Sequence, residues 1–138
     1  MPDERLYFLL QRAAHQLRVA ADRRVTAAAG ITTAQLGALY VVHDRPGVTQ
    51  QELATELGQR ESAITAMVGR LVDAGLLTRR THALQYRAIA LHLSPAGTQA
   101  LTRARPEVER FNAELQAVLG PHFDDATAVL TRLAAWEP

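Results

Sequence analysis

The positions of glycine and proline restrict this chain more than any other feature. Gly30, Pro46-Gly47, Gly58, Gly75, Ser94-Pro95 and Gly120-Pro121 cut its 138 residues into short segments. These residue types end regular structure, so each break marks an element boundary. From 5 to 29, Leu6, Leu9, Leu10, Ala13, Ala14, Leu17, Ala20 and Ala21 recur at spacings of three and four, which predicts one long helix ended by Gly30. Thr33 is placed to cap a second helix through Val42 that turns Leu36, Leu39 and Tyr40 inward. Thr49-Gln50-Gln51-Glu52 has the form of a capping box, in which hydroxyl and carboxylate satisfy each other's free amides. It opens a short helix carrying Leu53, Ala54 and Leu57. A fourth helix is expected from Arg60 or Glu61 to Ala74. Ser94, followed by proline at the first helical position, starts a long helix to about Leu119, and a last helix covers about 123–135.

One segment breaks the helical rhythm. Ile89, Leu91 and Leu93 alternate with Ala88, Ala90 and His92, the period of a half-buried strand. Strands are therefore expected at roughly 76–80 and 86–92. A lone hairpin is barely stable in water, so its apolar residues must dock on the preceding helices. The predicted fold is mainly α with a small β-hairpin. Its order, with a helix-turn-helix followed directly by two strands, is the winged arrangement of DNA-binding domains.

Composition supports a packed helical protein: 48% of residues are apolar but only 5% aromatic, so Ala, Leu and Val must build the core. The chain has no cysteine, which excludes disulfides and thiolate metal sites. No apolar run approaches the roughly 18 residues that span a bilayer, and the opening MPDERLYFLLQR lacks a basic-then-apolar leader pattern. A cytoplasmic location away from membranes is expected. All 15 basic residues are arginine, and the net charge of +1 conceals an uneven distribution. Between Ala74 and Pro106 there is no acid, yet Arg79, Arg80, Arg87, Arg103 and Arg105 fall there. Local positive charge of this kind suits an anionic partner, although charge runs commonly form nothing more than a solvated surface.

The fourth helix carries the most specific signal. Ile64, Met67, Val68, Leu71 and Val72 follow the core spacing, which leaves Ser62, Thr65, Ala66, Gly69 and Asp73 outward with Arg70 beside them. A helix approaches base edges closely only when its outer side chains are short or hydrogen-bonding. An ordinary solvent-facing helix usually carries more charge than this one. The candidate DNA-contacting set comprises Thr49, Gln50, Gln59, Arg60, Ser62, Ala63, Thr65, Ala66 and Arg70 of the helix-turn-helix, with Arg79, Arg80, Gln85, Tyr86 and Arg87 of the hairpin. Glu61, which phosphate would repel, either reads a cytosine amino group or pairs with Arg60. The five histidines are scattered without metal-ligand spacing, and there is no phosphate-binding glycine loop or nucleophile elbow. Asp124-Asp125 suits a helix N-terminus better than acid–base chemistry. No enzymatic activity, metal or cofactor is expected.

The run QELATELGQRESAITAMVGRLVDAGLLTRR, with LHLSPAGTQAL after the hairpin, resembles the multiple-antibiotic-resistance-regulator (MarR) family of winged-helix transcription factors. The resemblance implies a single MarR-like domain over 1–138, with a winged helix-turn-helix lobe at 33–93 and a helical dimerisation region at 5–30 and 95–138. It implies a homodimer on double-stranded DNA, most often a repressor at a pseudo-palindromic promoter site. It also implies a small aromatic or phenolic effector between the two regions, for which His15, Tyr40 and His43 are candidate contacts. The chain departs from the family at its wing tip, His82-Ala83-Leu84-Gln85-Tyr86-Arg87. The usual acids are absent there, Tyr86 stands at the first of two arginine positions and Arg87 keeps the second. Ala66 likewise stands where arginine often follows the threonine. The alternative is a winged-helix module that binds a protein partner and has lost DNA.

Overall fold

In the computed structural model, which describes residues 5–81, 84 and 88–138, the glycine and proline breaks fall between elements as the sequence implies. The order is α1 (Leu6–Ala29), α2 (Thr33–Asp44), β1 (Val48–Thr49), α3 (Gln50–Leu57), α4 (Glu61–Asp73), β2 (Leu77–Thr81), β3 (Ile89–Leu93), α5 (Pro95–Leu119), a 3-10 turn (Gly120–His122) and α6 (Phe123–Ala134). Gly30, Gly58 and Gly75 close α1, α3 and α4 at positive φ. Among the described residues no single helix is long and apolar enough to cross a membrane.

Two caps differ from expectation. Thr32, not Thr33, is the N-cap of α2, in a full capping box with Gln35. Thr33 is the first helical residue, and its amide (2.8 Å) and hydroxyl (2.5 Å) both donate to Asp22 of α1. At α3 only half of the predicted box forms. Thr49 Oγ1 accepts from the Glu52 amide at 3.1 Å, but the Glu52 carboxylate accepts from the Thr49 hydroxyl and from Arg45. Thr49 belongs to a strand, which the sequence reading omitted.

That strand turns the expected hairpin into a three-stranded antiparallel sheet of order β1-β3-β2. Val48 pairs with Leu91, and Leu77 to Thr81 pair with Leu93 to Ile89. The Pro46-Gly47 turn is tied in by the Gly47 amide, which donates to the Leu91 carbonyl at 2.9 Å; Gly47 holds φ at +88°, a conformation costly for other residues. Leu91 docks in the core as predicted. Ile89 does not: it is exposed, while Ala90 is buried. The ladder runs out towards the wing tip at Ile89, whereas Ala90 lies mid-sheet opposite buried Thr49.

A single core links the helix-turn-helix, the sheet and the first turns of α5. Leu39, Leu53, Ile64, Val68, Leu71 and Leu91 are essentially sealed from solvent, each contributing roughly 1.5–3 kcal/mol of transfer free energy. Val25 of α1 and Ala100, Leu101 and Ala104 of α5 join them. Gly97 sits at the closest approach. A methyl group there would lie 2.2 Å from the Leu76 carbonyl oxygen, so α5 can dock on the wing base only with glycine at this point. Ser94 locks the same junction, its hydroxyl donating to the Gly75 carbonyl at 2.5 Å and accepting from the Gly97 amide at 3.0 Å.

Outside that core the helices lack cover. Of the α1 stripe, Leu6, Leu9 and Leu17 remain exposed, and Val25 is the one fully buried α1 residue. α6 buries none of its residues.

Two outcomes test these junctions. Gly97→Ala forces helix or strand to shift and should destabilise the fold by about 1–3 kcal/mol in denaturant titrations. Asp22 is held below the usual aspartate range, first by the Thr33 hydroxyl, then by the Thr33 amide, against some desolvation, with Arg18 adding attraction. Because the folded value is the lower one, this stabilisation is complete above the ordinary aspartate range and disappears as pH falls through the lowered value. Asp22→Asn should therefore lower stability by about 0.5–1 kcal/mol at neutral pH, and the difference in Tm from wild type should close on acidification.

Candidate nucleic-acid interface

α4 is amphipathic in the expected register. Ile64, Met67, Val68 and Leu71 are buried, and Ser62, Ala63, Thr65, Ala66 and Arg70 are all exposed on the opposite side. Gln59 and Arg60 are also exposed and precede its first turn, where Arg60 occupies the N-cap without a side-chain bond. Glu61 and Arg60 form no ion pair among the described residues, so of the two roles open to Glu61 the local pairing is not made. Glu61 instead sits in the first turn, where the helix dipole favours a carboxylate.

Thr49 is buried at the base of α3 and serves as its cap, so its side chain faces inward. Gln50 bridges the two helices of the motif. Its Nε2 donates to Thr65 Oγ1 at 3.2 Å, and Thr65 Oγ1 donates back along its own helix to the Glu61 carbonyl at 2.9 Å. Arg45 holds the turn before α3 by pairing with Glu52 at 2.6 Å and Glu56 at 3.8 Å. Sequence reasoning did not single out Arg45; a lone arginine seven residues before an acid gives no helical spacing to find it by.

The paired arginines of β2 separate because successive strand residues face opposite ways. The Arg79 guanidinium lies over Gly69 of α4, 3.8 Å from where a Cβ would stand, and so extends the outward face of that helix. Arg80 turns towards a groove with Val42, His43, Pro46, His92 and Leu93. The remaining predicted wing contacts, Gln85, Tyr86 and Arg87, lie outside the described residues. No acid stands between Asp73 and Glu107, and Arg60, Arg70, Arg79 and Arg80 are in no ion pair among the described residues.

The three candidate effector contacts are not brought together. His15 is exposed on α1 and within 3.3 Å of Arg18. His43 is exposed at the end of α2 beside Asp44, and Tyr40 packs half-buried against the core. A cleft of about 270 Å³ opens elsewhere, between α1, α2 and α5, walled by Ala21, Val25, Leu36, Val108, Phe111 and Leu115. Its polar groups are Arg24, Thr33, Glu107 and Asn112. Arg24 pairs with Glu114 and lies 5.1 Å from the Phe111 ring centre, so an ion pair and a cation–π contact close one wall. The Glu114 hydrogen bond raises the Arg24 pKa, and the Arg24 bond lowers that of Glu114. No group of three or more potential metal ligands occurs among the described residues.

An exposed short-chain helix after a tight turn, a three-stranded wing and long flanking helices define a winged helix-turn-helix protein. The model of the MarR family matches residues 29–88, which run from the end of α1 to just before β3. The transcriptional repressor CouR, in its structure bound to a 23-mer DNA duplex, is 31% identical, with a TM-score of 0.83 over 96% of this chain and 92% of that one. Its structure bound to p-coumaroyl-CoA gives 29% identity and a TM-score of 0.82, over 99% and 95% of the two chains. A putative transcriptional regulatory protein for the hcr operon of Thauera aromatica is 34% identical over 97 residues, 70% of this chain but 58% of that protein. The chain belongs to the MarR family.

Proposed function

We propose that the chain is a DNA-binding transcriptional regulator, acting as a dimeric repressor that a small molecule releases from its site. The outward face of α4 carries this reading. Short and hydrogen-bonding side chains cover it from Ser62 to Gly69, with Arg79 alongside and no acid beyond Glu61 and Asp73 at its two ends. Such a face enters a major groove without steric conflict, and the unpaired arginines around it meet phosphates. CouR, bound to a duplex, supports the same reading for a similar chain.

The dimer reading rests on apolar surface with no cover in one chain. Leu6, Tyr7, Phe8 and Leu9 on α1, Val118 and Leu119 on α5, and Val129, Leu130, Leu133 and Trp136 at the C-terminal end are all exposed. Exposed apolar side chains in this number on three helices fit an association site. Together α1, α5 and α6 form the dimerisation region, and they leave two copies of α4 to meet successive half-sites about 10 bp apart. The effector site is the cleft between α1, α2 and α5, whose aromatic and aliphatic walls fit an aromatic compound and whose Asn112 fits its polar substituent. CouR bound to p-coumaroyl-CoA supports an effector with an aromatic part.

Selection of duplexes from a random pool should yield a two-fold-symmetric site whose binding weakens steeply with salt. Arg79→Ala should weaken binding across all selected sequences and reduce the salt slope by about one per half-site. If the wild-type chain recovered no preferred duplex at low or moderate salt, the protein-binding alternative would replace this reading. Leu130→Asp, on the exposed face of α6, should yield monomers by sedimentation and abolish tight binding to full sites while leaving the helical circular-dichroism signal in place.

A further inference from the structure

The hydrogen bonds around Thr65 fix what its hydroxyl can offer to a base. A threonine hydroxyl has one proton and two lone pairs. Here the proton goes to the Glu61 carbonyl at 2.9 Å, within the same helix. One lone pair accepts from Gln50 Nε2 at 3.2 Å, reached from the neighbouring helix. What remains towards the exposed side of α4 is a single acceptor. Reversing the Gln50 amide would not change this, because the proton would then be drawn to the amide oxygen and still point inward. The side chain is thus acceptor-only in the direction of the groove, whichever way the glutamine lies.

We infer that Thr65 reads a base carrying an exocyclic amino group, adenine or cytosine, and rejects guanine and thymine at that position. In the major groove adenine N6 and cytosine N4 are the donors, whereas guanine O6 and N7 and thymine O4 are acceptors. An acceptor-only hydroxyl meeting those atoms places two lone pairs face to face. Gln50 acts as a positioning residue, holding the Thr65 oxygen from the adjacent helix so that its free lone pair keeps one direction. The inference rests on the DNA-binding reading and assigns a chemical class to one contact within it.

The test compares duplexes selected by the full-length wild type with those selected by Thr65→Ser, Thr65→Val and Gln50→Ala. One position per half-site should show adenine or cytosine favoured about two- to ten-fold, the range of one neutral hydrogen bond. Thr65→Ser keeps the hydroxyl and should keep that preference. Thr65→Val keeps the shape without the oxygen and should level it, and Gln50→Ala should blunt it without changing helix content. Replacing the favoured adenine with unsubstituted purine, or the favoured cytosine with its analogue lacking the amino group, should cost the wild type the same factor and Thr65→Val nothing. A preference that survives in Thr65→Val would show contact through the methyl group and overturn the inference. So would a Thr65-dependent preference for guanine or thymine, or no responsive position; in each of those cases the DNA-binding reading stands. A wild-type chain that selects no duplex removes both.

Discussion

The junction of α4, the wing and α5 is the constraint on which the rest of the molecule depends. Leu76 follows directly on the glycine that ends α4, and its carbonyl accepts from the Ser94 amide at 3.1 Å where α5 begins. Ser94 reaches back to Gly75, and Gly97 brings the α5 backbone within a distance that excludes any Cβ. A single short stretch therefore sets three directions: that of α4, that of the wing and that of the long helix α5. An error there would rotate α4 against α5, and the spacing of two reading helices in a dimer would be lost with it.

A second tie joins α1 to α2. Asp22 of α1 caps the start of α2 through two bonds to Thr33, so the other flanking helix also meets the lobe at a charged, well-defined point. Beside this tie opens the cleft of α1, α2 and α5, one wall of which is fixed by Arg24, Glu114 and Phe111. Thr33 lines this cleft, so a ligand wedged there would press directly on the Asp22 tie. Under the proposed reading, that geometry would give an effector a route to the angle between α1 and α2 without any contact with α4.

Much of this was legible in the sequence because glycine, proline and apolar spacing act locally. The helix boundaries, the α4 core register and the Ser94-Pro95 start all follow from residues within one or two turns of each other. What sequence reading missed involves partners far apart in the chain. β1 has two residues, too few to show a period, and exists only because β3 pairs with it. Thr33 looked like a cap because Asp22, eleven residues earlier, cannot be linked to it by spacing. Ile89 looked buried because alternation says which residues share a face but not where a sheet ends. The cleft residues escaped for the same reason, since Leu36, Val25 and Phe111 meet only once three helices are assembled.

The charge pattern gains a sharper meaning from the structure. Arg24, Arg45 and Arg110 are each spent on acids, within the flanking helices or behind the turn of the motif. Among the described residues Arg60, Arg70, Arg79 and Arg80 around α4 are not, and the segment from Ala74 to Pro106 offers them no acid. Near-neutrality overall is thus compatible with a cationic reading face, because the acids are placed where they tie helices together. Charge of this kind attracts any duplex, and discrimination must come from groups with fixed polarity. On α4 the small side chains Ala63, Ala66 and Gly69 offer none, which under the proposed reading leaves the task to Ser62 and Thr65 and the side chains flanking them. Of these two hydroxyls, Thr65 is the one held from both sides, its proton donated to the Glu61 carbonyl and one lone pair taken by Gln50, so the short and chemically plain face of α4 still presents one directed acceptor.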